Sequence, residues 1–259
     1  MTYRAGLEPG TVEGFEDVDR RFLESAFYAH RAGVPFGRFI SPEVAAGRRV
    51  LEVGCGMGTH ASLLIRAGAS YTGIDLTEPA VRMTRRRLEL AGLRGDVQQA
   101  DAERLPFGDA SFNTVWSWGV IHHSASFDRC FSEMTRVLEP GGRIVLMVYH
   151  HPSLFYYLYC VLARGILRGE RRQRSFEDIY LDQIDGAYAR RFRRAELAGI
   201  FSSHYDSVRL DVVGQKEELF PLPRSHIKRR LVAATPDRLA SAVLSRLGHM
   251  VVVQAVRAA

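Results

Sequence analysis

Gly54, Gly56 and Gly58 alternate with Cys55 and Met57 directly after the run Val50-Leu51-Glu52-Val53, and Thr59 opens a helical pattern behind them. A buried strand that ends in glycines and passes into a helix lets backbone approach a ligand closely, because glycine has no Cβ and turns tightly. Asp75 ends the next strand-like run about 20 residues past the first glycine, where a carboxylate can accept hydrogen bonds from both hydroxyls of a ribose. Asp101, followed by Ala102, ends a third run, from which a carboxylate can take an adenine amino hydrogen while small and apolar neighbours flank the ring. Either aspartate alone reads equally well as a turn former that bonds nearby amides. The whole series of strand, glycine loop, helix, strand-end Asp, helix and strand-end Asp reads as a site for a nucleotide-containing cofactor.

The spacing narrows the choice of cofactor. The dinucleotide fingerprint wants its third glycine after two intervening residues, but here Gly58 comes one residue early and Thr59 holds that position. No lysine follows the loop as a phosphate-binding loop requires. Histidines supply candidate proton acceptors: His122 and His123 follow the fourth strand-like run, and His150 and His151 follow the fifth. Histidine suits that work because its pKa lies near working pH. His123 is favoured within the first pair, and for each residue the alternative is a hydrogen bond to its own loop.

These residues need a scaffold. Strands are expected at Arg49 to Val53, Tyr71 to Leu76, Val97 to Ala100, Phe112 to Trp118 and Arg143 to Tyr149, the last preceded by a turn at Pro140-Gly141-Gly142. Helices are expected at Thr59 to Ala67, Glu78 to Ala91 and Phe127 to Leu138. An amphipathic helix from Val12 to His30, ended by Gly33 and Pro35, precedes them. Strands alternating with helices imply a parallel sheet covered on both faces, since parallel neighbours need right-handed crossovers. After Tyr149 the rhythm changes to an apolar stretch, Ser153 to Leu167, then helix patterns at Arg194 to Phe201 and Pro236 to Leu247 and strand patterns at Val208 to Val213 and Met250 to Val256.

With LEVGCGMGTH, GIDLT, DAERLPFGDASFNTVWSWGVIHH and RVLEPGGRIVLMVYH in place, the stretch from about Arg48 to Tyr149 resembles the class I S-adenosylmethionine-dependent methyltransferases. Within them it is similar to the small-molecule branch of ubiquinone and menaquinone methyltransferases. The resemblance implies a doubly wound α/β fold, Rossmann-like, with a mostly parallel seven-stranded sheet whose last strand is antiparallel. It implies S-adenosyl-L-methionine as cofactor, with Asp75 on the ribose, Asp101 and Ala102 at the adenine, Gly54, Cys55, Gly56 and Gly58 beside the methionine part, and Leu76 among the cofactor-binding residues. Glu52 would support the methionine amine and Trp118 would line the pocket; the alternatives are a buried carboxyl capping local amides and a buried aromatic without a ligand. The division expected is a helical cap over 1–47, a cofactor-binding core over 48–150, an apolar helical insertion or lid over 151–205, and strands completing the sheet over 206–259.

Methyl transfer from a sulfonium is an in-line displacement with a neutral leaving group, so alignment is most of the catalysis. The acceptor expected is a small, apolar or aromatic molecule of the secondary-metabolite type, covered by the aromatic segment Leu154 to Tyr159 with the apolar helix it begins, together with the N-terminal helix. That segment reads alternatively as a helix packed on the sheet, or, with Arg164, Arg168, Arg171 and Arg172 close behind, as a contact with a membrane surface. Competing classes are a nicotinamide-dependent oxidoreductase and a non-catalytic binding module.

Bulk properties agree with a folded protein: among 259 residues, 46% are hydrophobic and 25% charged. The net charge of +6 is spread as arginines on solvated faces, without a zinc-ligand array or RNA-binding motif, so nucleic acid is not expected as a partner. Cys55, Cys130 and Cys160 are too few and too widely spaced for a disulfide framework or a metal site. The opening residues Thr2, Tyr3 and Arg4 lack a leader's apolar run, and no apolar stretch reaches membrane-spanning length, so the cytoplasm is the expected compartment.

Overall fold

The run beginning at Arg49 has neighbours on both edges and layers on both faces, which is why it carries so little polar character. In this computed structural model, which describes residues 8–184, 188–223 and 225–259, β1 (Arg49–Val53) lies parallel between β2 (Ser70–Asp75) and β4 (Phe112–Trp118). β3 (Asp96–Gln99) joins β2, and β5 (Leu138–His150) joins β4, again in parallel. β8 (Met250–Arg257) runs antiparallel to both β5 and β7 (Tyr205–Val213), giving the order β3-β2-β1-β4-β5-β8-β7. A two-residue β6 (Arg191–Phe192) pairs with the end of β5, off this path. The seven-stranded sheet with an antiparallel last strand is therefore present, with β6 as an addition.

Alternating side chains divide the core into two layers. One face packs Leu51, Ile74 and Val115 against α5 (Phe127–Val137) and α7 (Arg194–Ser202). The other packs Val50, Tyr71 and Trp116 against α3 (Thr59–Arg66), α4 (Glu78–Leu90) and α2 (Pro42–Ala45), with Phe36 and Phe39 of the N-terminal region. α1 (Val12–Ser25) closes this side; Asp19 on it accepts from Thr59 Oγ1 (2.7 Å) and pairs with Arg87 (2.7 Å), which ties the cap to the start of α3 and to α4.

Beyond β5 a π-helix (Phe155–Leu167) packs against α6 (Phe176–Leu181) and Tyr149 rather than on the flat of the sheet. α8 (His226–Ala234) buries none of its residues, and α9 (Asp237–Leu247) buries Ala240 and Leu244. No helix among the described residues is long and apolar enough to cross a membrane.

Two expectations need correction. The first helix stops at Ser25, not His30, and Gly33 and Pro35 lie beyond its end: the Ser25 hydroxyl bonds back to Phe22 and the chain tightens into a 3-10 turn, Phe27–Ala29, that buries Ala26 and Ala29. Pro140-Gly141-Gly142 is a bulge inside β5, because Leu138 already pairs with Phe112 before the register jumps to Thr114 and Arg143. Gly141, at φ +74°, takes the left-handed conformation the bulge needs. Thr2, Tyr3 and Arg4 lie outside the described residues.

Candidate functional site

The glycine loop is built from left-handed backbone, with φ of +84° at Gly54, +54° at Gly56 and +76° at Gly58. At Gly54 a Cβ would stand 2.2 Å from Val120 Cγ2, so this glycine is also demanded by the chain leaving β4. At Gly56 a Cβ would meet nothing within 4 Å, which leaves bare backbone facing open space, the cradle a ligand needs. The loop is pinned from outside: Gly54 and Cys55 N–H donate to Ile74 O (2.8 and 2.9 Å), Thr84 Oγ1 to Gly56 O (3.1 Å) and Arg87 Nε to Met57 O (2.6 Å). Burial pushes the Cys55 thiol up to about 12, so this cysteine is a small packing residue and not a nucleophile.

The carboxylates stand at neighbouring strand ends of the same rim. Asp75 accepts from Gly56 N–H (3.1 Å) through one oxygen and from Thr77 N–H (3.0 Å) and Oγ1 (2.9 Å) through the other. Asp75 thus acts as a turn former, and its first oxygen, with one bond accepted, keeps a lone pair for a further donor. Asp101 is exposed and accepts from Glu103 N–H (2.8 Å), and Ala102 beside it packs on the core. Leu76, 65% exposed, is an apolar side chain left at the rim between them.

Glu52 and Trp118 point to the opposite side of β1 and β4, into a polar pocket sealed by aromatics. Glu52 is 1% exposed, accepts from the Tyr71 hydroxyl and lies 3.6 Å from His60 Nδ1. Burial raises its carboxyl to about 8 against the pull of the Tyr71 hydrogen bond, so it is mostly protonated at neutral pH. His60, held down to about 3 by burial, is neutral; its ring lies among Phe22, Phe36, Trp116 and Trp118, at 4.7–5.4 Å between centroids. Trp118 stacks on Trp116 (5.5 Å, 12°), so the structure gives it a packing role beneath the rim.

The histidines fall into distinct environments around Tyr149. His122 is fully buried, has no partner for either ring nitrogen among the described residues, and is held well below the ordinary histidine value by burial. Its ring lies 4.1 Å from those of His123 and Tyr149. His123 is half-buried and its Nδ1 lies 2.7 Å from Tyr188 O. A carbonyl can only accept, so Nδ1 carries a proton, and Nε2 is the ring nitrogen through which this side chain could act as a base. His150 bonds Gly248 O through Nδ1 (2.9 Å) inside the core, and burial lowers it; His151 is lowered by burial and by Arg191 and Arg193.

Two groups escaped the sequence reading. His249 stands at the head of β8 with Nδ1 2.6 Å from the buried Glu218, its ring 5.7 Å from Tyr149 and 5.6 Å from Phe155. Glu218 also accepts from the N–H groups of Gln215 and His249. Some 30 residues separate this pair, so no spacing rule exposes it. His60 stood in the quoted glycine motif, but nothing in its type showed that it would face Glu52.

Comparison with known proteins agrees with this layout. Residues 51–146 match the family model described as a methyltransferase domain. The phthiotriol/phenolphthiotriol dimycocerosates methyltransferase of Mycobacterium tuberculosis (strain H37Ra) is 45% identical over 123 residues, 46% of this chain and 45% of that protein. The fatty-acid O-methyltransferase of Mycolicibacterium smegmatis is 46% identical over 98 residues, 37% of this chain and 35% of that one. The matched stretch thus spans less than half the length of these curated relatives. In fold, an S-adenosylmethionine-dependent methyltransferase from Mesorhizobium loti superposes with a TM-score of 0.54 at 19% identity, covering 87% of this chain and 99% of that one. A chain of the complex formed by the Haloferax volcanii Trm112 methyltransferase activator superposes with a TM-score of 0.60 at 19% identity, covering 96% of both chains. Residues 51–146 are therefore similar to a methyltransferase domain, and the order of the sheet is that of a fold shared with solved methyltransferases at low identity.

Proposed function

We propose that this chain transfers a methyl group from S-adenosyl-L-methionine to a small apolar acceptor of lipid or polyketide character. The observation that carries the reading is the rim itself: bare left-handed backbone at Gly56, with Asp75 and Asp101 at the ends of the two adjacent strands, within a methyltransferase domain. The cofactor, when bound, supplies an electrophilic methyl carbon. Asp75 would receive the ribose hydroxyls, Asp101 with Leu76 and Ala102 the adenine, and the loop from Gly54 through Cys55 and Gly56 to Gly58 the methionine part. Glu52 would act from below the loop, with Trp118 fixing the floor.

On the acceptor side, His123 takes the proton of a hydroxyl or ammonium through Nε2 while Tyr188 O holds its tautomer. S-adenosylmethionine would supply the methyl group and leave as the neutral thioether, while His123 would hold the proton released by the acceptor oxygen or nitrogen. His122 and His150 are the other two candidates. Their burial suits them better to shaping the pocket, since a base must reach its proton. The π-helix, set over Tyr149 and His249 through Phe155, is the expected cover for the acceptor. The named substrates of the relatives, a dimycocerosate and a fatty acid, support an extended apolar acceptor. Cytoplasmic location belongs to the same reading, supported by three buried free thiols.

The test is incubation with S-adenosylmethionine and a panel of fatty acids, long-chain phenols and polyketide alcohols, read by mass spectrometry. A methyl-sized mass gain with matching demethylated cofactor supports the reading. Tight cofactor binding with no product from any acceptor class would leave a binding module, and affinity for nicotinamide dinucleotides instead would make it an oxidoreductase.

A further inference from the structure

The π-helix and α8 leave apolar side chains in water that the core does not use. Along the π-helix, Tyr157, Leu162 and Ile166 recur at the four- to five-residue spacing of a wide turn, and Leu167 follows; Ile166 is 58% and Leu167 75% exposed. On α8, Ile227 (65% exposed) and Leu231 lie one turn apart, and no residue of the helix is buried. Lys228 Nζ sits 5.8 Å from the Tyr159 ring, so the start of α8 lies near the π-helix.

The charge around these stripes is predominantly positive, with Glu170 the nearby exception. Neither helix contains an acidic residue. Arg168, Arg171, Arg172, Arg229 and Arg230 are exposed, and among the described residues none of them forms an ion pair, whereas Arg164 beside them is held by Glu170 (2.6 Å). Long basic side chains flanking exposed aliphatic ones are what a surface needs to set its apolar part among acyl chains while its charges remain at the headgroups. A second copy is a poor occupant, because two-fold pairing of this patch would bring its unpaired cations together.

We propose that the π-helix and α8 together form a docking surface for an anionic lipid bilayer. The inference stands on exposure and charge and does not depend on methyl transfer. It does explain how an enzyme with an apolar acceptor could reach one that water does not dissolve.

The full chain is mixed with vesicles of phosphatidylcholine alone or with phosphatidylglycerol added, and the bound fraction is read by sedimentation at low and high salt. Binding is expected to the anionic vesicles and to weaken with salt, since the attraction acts within a Debye length. Each basic residue at such a surface is worth roughly fivefold in binding, so Arg229→Glu with Arg230→Glu is expected to cost at least ~25-fold. Ile227→Ser with Ile166→Ser is expected to lower binding even at low salt. All four side chains are exposed, and an Arg168→Glu, Arg171→Glu pair on the other helix repeats the test independently. Equal affinity for both vesicle types, or charge variants that bind as the parent does, overturns the proposal. So does a dimer in solution that these substitutions dissociate, for then a second copy covers the face. Cofactor affinity measured in the same variants separates this outcome from any failure of the methyl-transfer reading.

Discussion

The rim at β1 to β4 and the proposed acceptor-side assembly around Tyr149 are built from different materials. At the rim the working parts are backbone atoms and short side chains: glycines in left-handed conformations, N–H groups bonded to Ile74 O, and aspartates at strand ends. Each lies within a few residues of the strand that positions it. On the acceptor side the parts are large side chains brought from far apart in the chain: His122 and His123 after β4, Tyr149 on β5, Phe155 on the π-helix and His249 held by Glu218. The family match stops at residue 146, so it takes in His122 and His123 but not Tyr149, Phe155, Glu218 or His249. The contrast teaches that the first region is specified by local spacing, and the second by which distant segments happen to pack together.

The sharpest way to break the comparison is at the glycines. Gly54→Ala must place a methyl on Val120 in a left-handed backbone, and is expected to destabilise the protein by about 3 kcal/mol or more. Gly56→Ala meets only open space and pays the left-handed backbone alone, about 1–2 kcal/mol, yet it should weaken cofactor binding disproportionately. Urea titration beside cofactor calorimetry reads both; equal stability losses would mean the two glycines do not divide the work as described.

On the acceptor side, His123→Ala is expected to cut turnover by roughly 100-fold at unchanged cofactor affinity. His122→Ala should instead lower stability, since it empties a fully buried position. Wild-type rates in alanine variants of both histidine pairs would leave alignment as the whole mechanism.

Glu52 offers a test beneath the rim. Folded, it keeps its proton to about pH 8, whereas an unfolded glutamate loses it near 4.5, so the folded state holds the extra proton between those values. This contribution is fully present below about 4.5 and is lost as pH rises through 8, on the order of 4 kcal/mol across the window. Glu52→Gln should flatten that slope in urea unfolding measured between pH 5 and 8. The smallest expected effect is at Asp101: exposed and bonded only locally, Asp101→Asn should leave folding within ~0.5 kcal/mol of the parent and weaken cofactor binding by roughly tenfold.

Particular residues show how far the chain could be read before its structure was known. The order of strands and helices through Tyr149, the glycine loop and both strand-end aspartates were legible because buried parallel strands, left-handed turns and strand-end carboxylates each require specific residue types at short separations. The end of the first helix was not, because Ala26 leaves the helix to be buried beneath the cap, and helix propensity says nothing of that. Nor was the bulge at Pro140 to Gly142, whose turn residues look the same whether they join two elements or kink one strand.

Local spacing along the chain determined the mostly parallel sheet and the residues at its rim, since backbone sterics act over a few residues and need no knowledge of the rest. Only tertiary structure decided that Glu52 would face Tyr71 and His60, that His249 would meet Glu218, and that Trp118 would stack beneath the rim. Burial and pairing across long separations depend on how whole layers close over one another, and residue type alone does not encode which partner arrives.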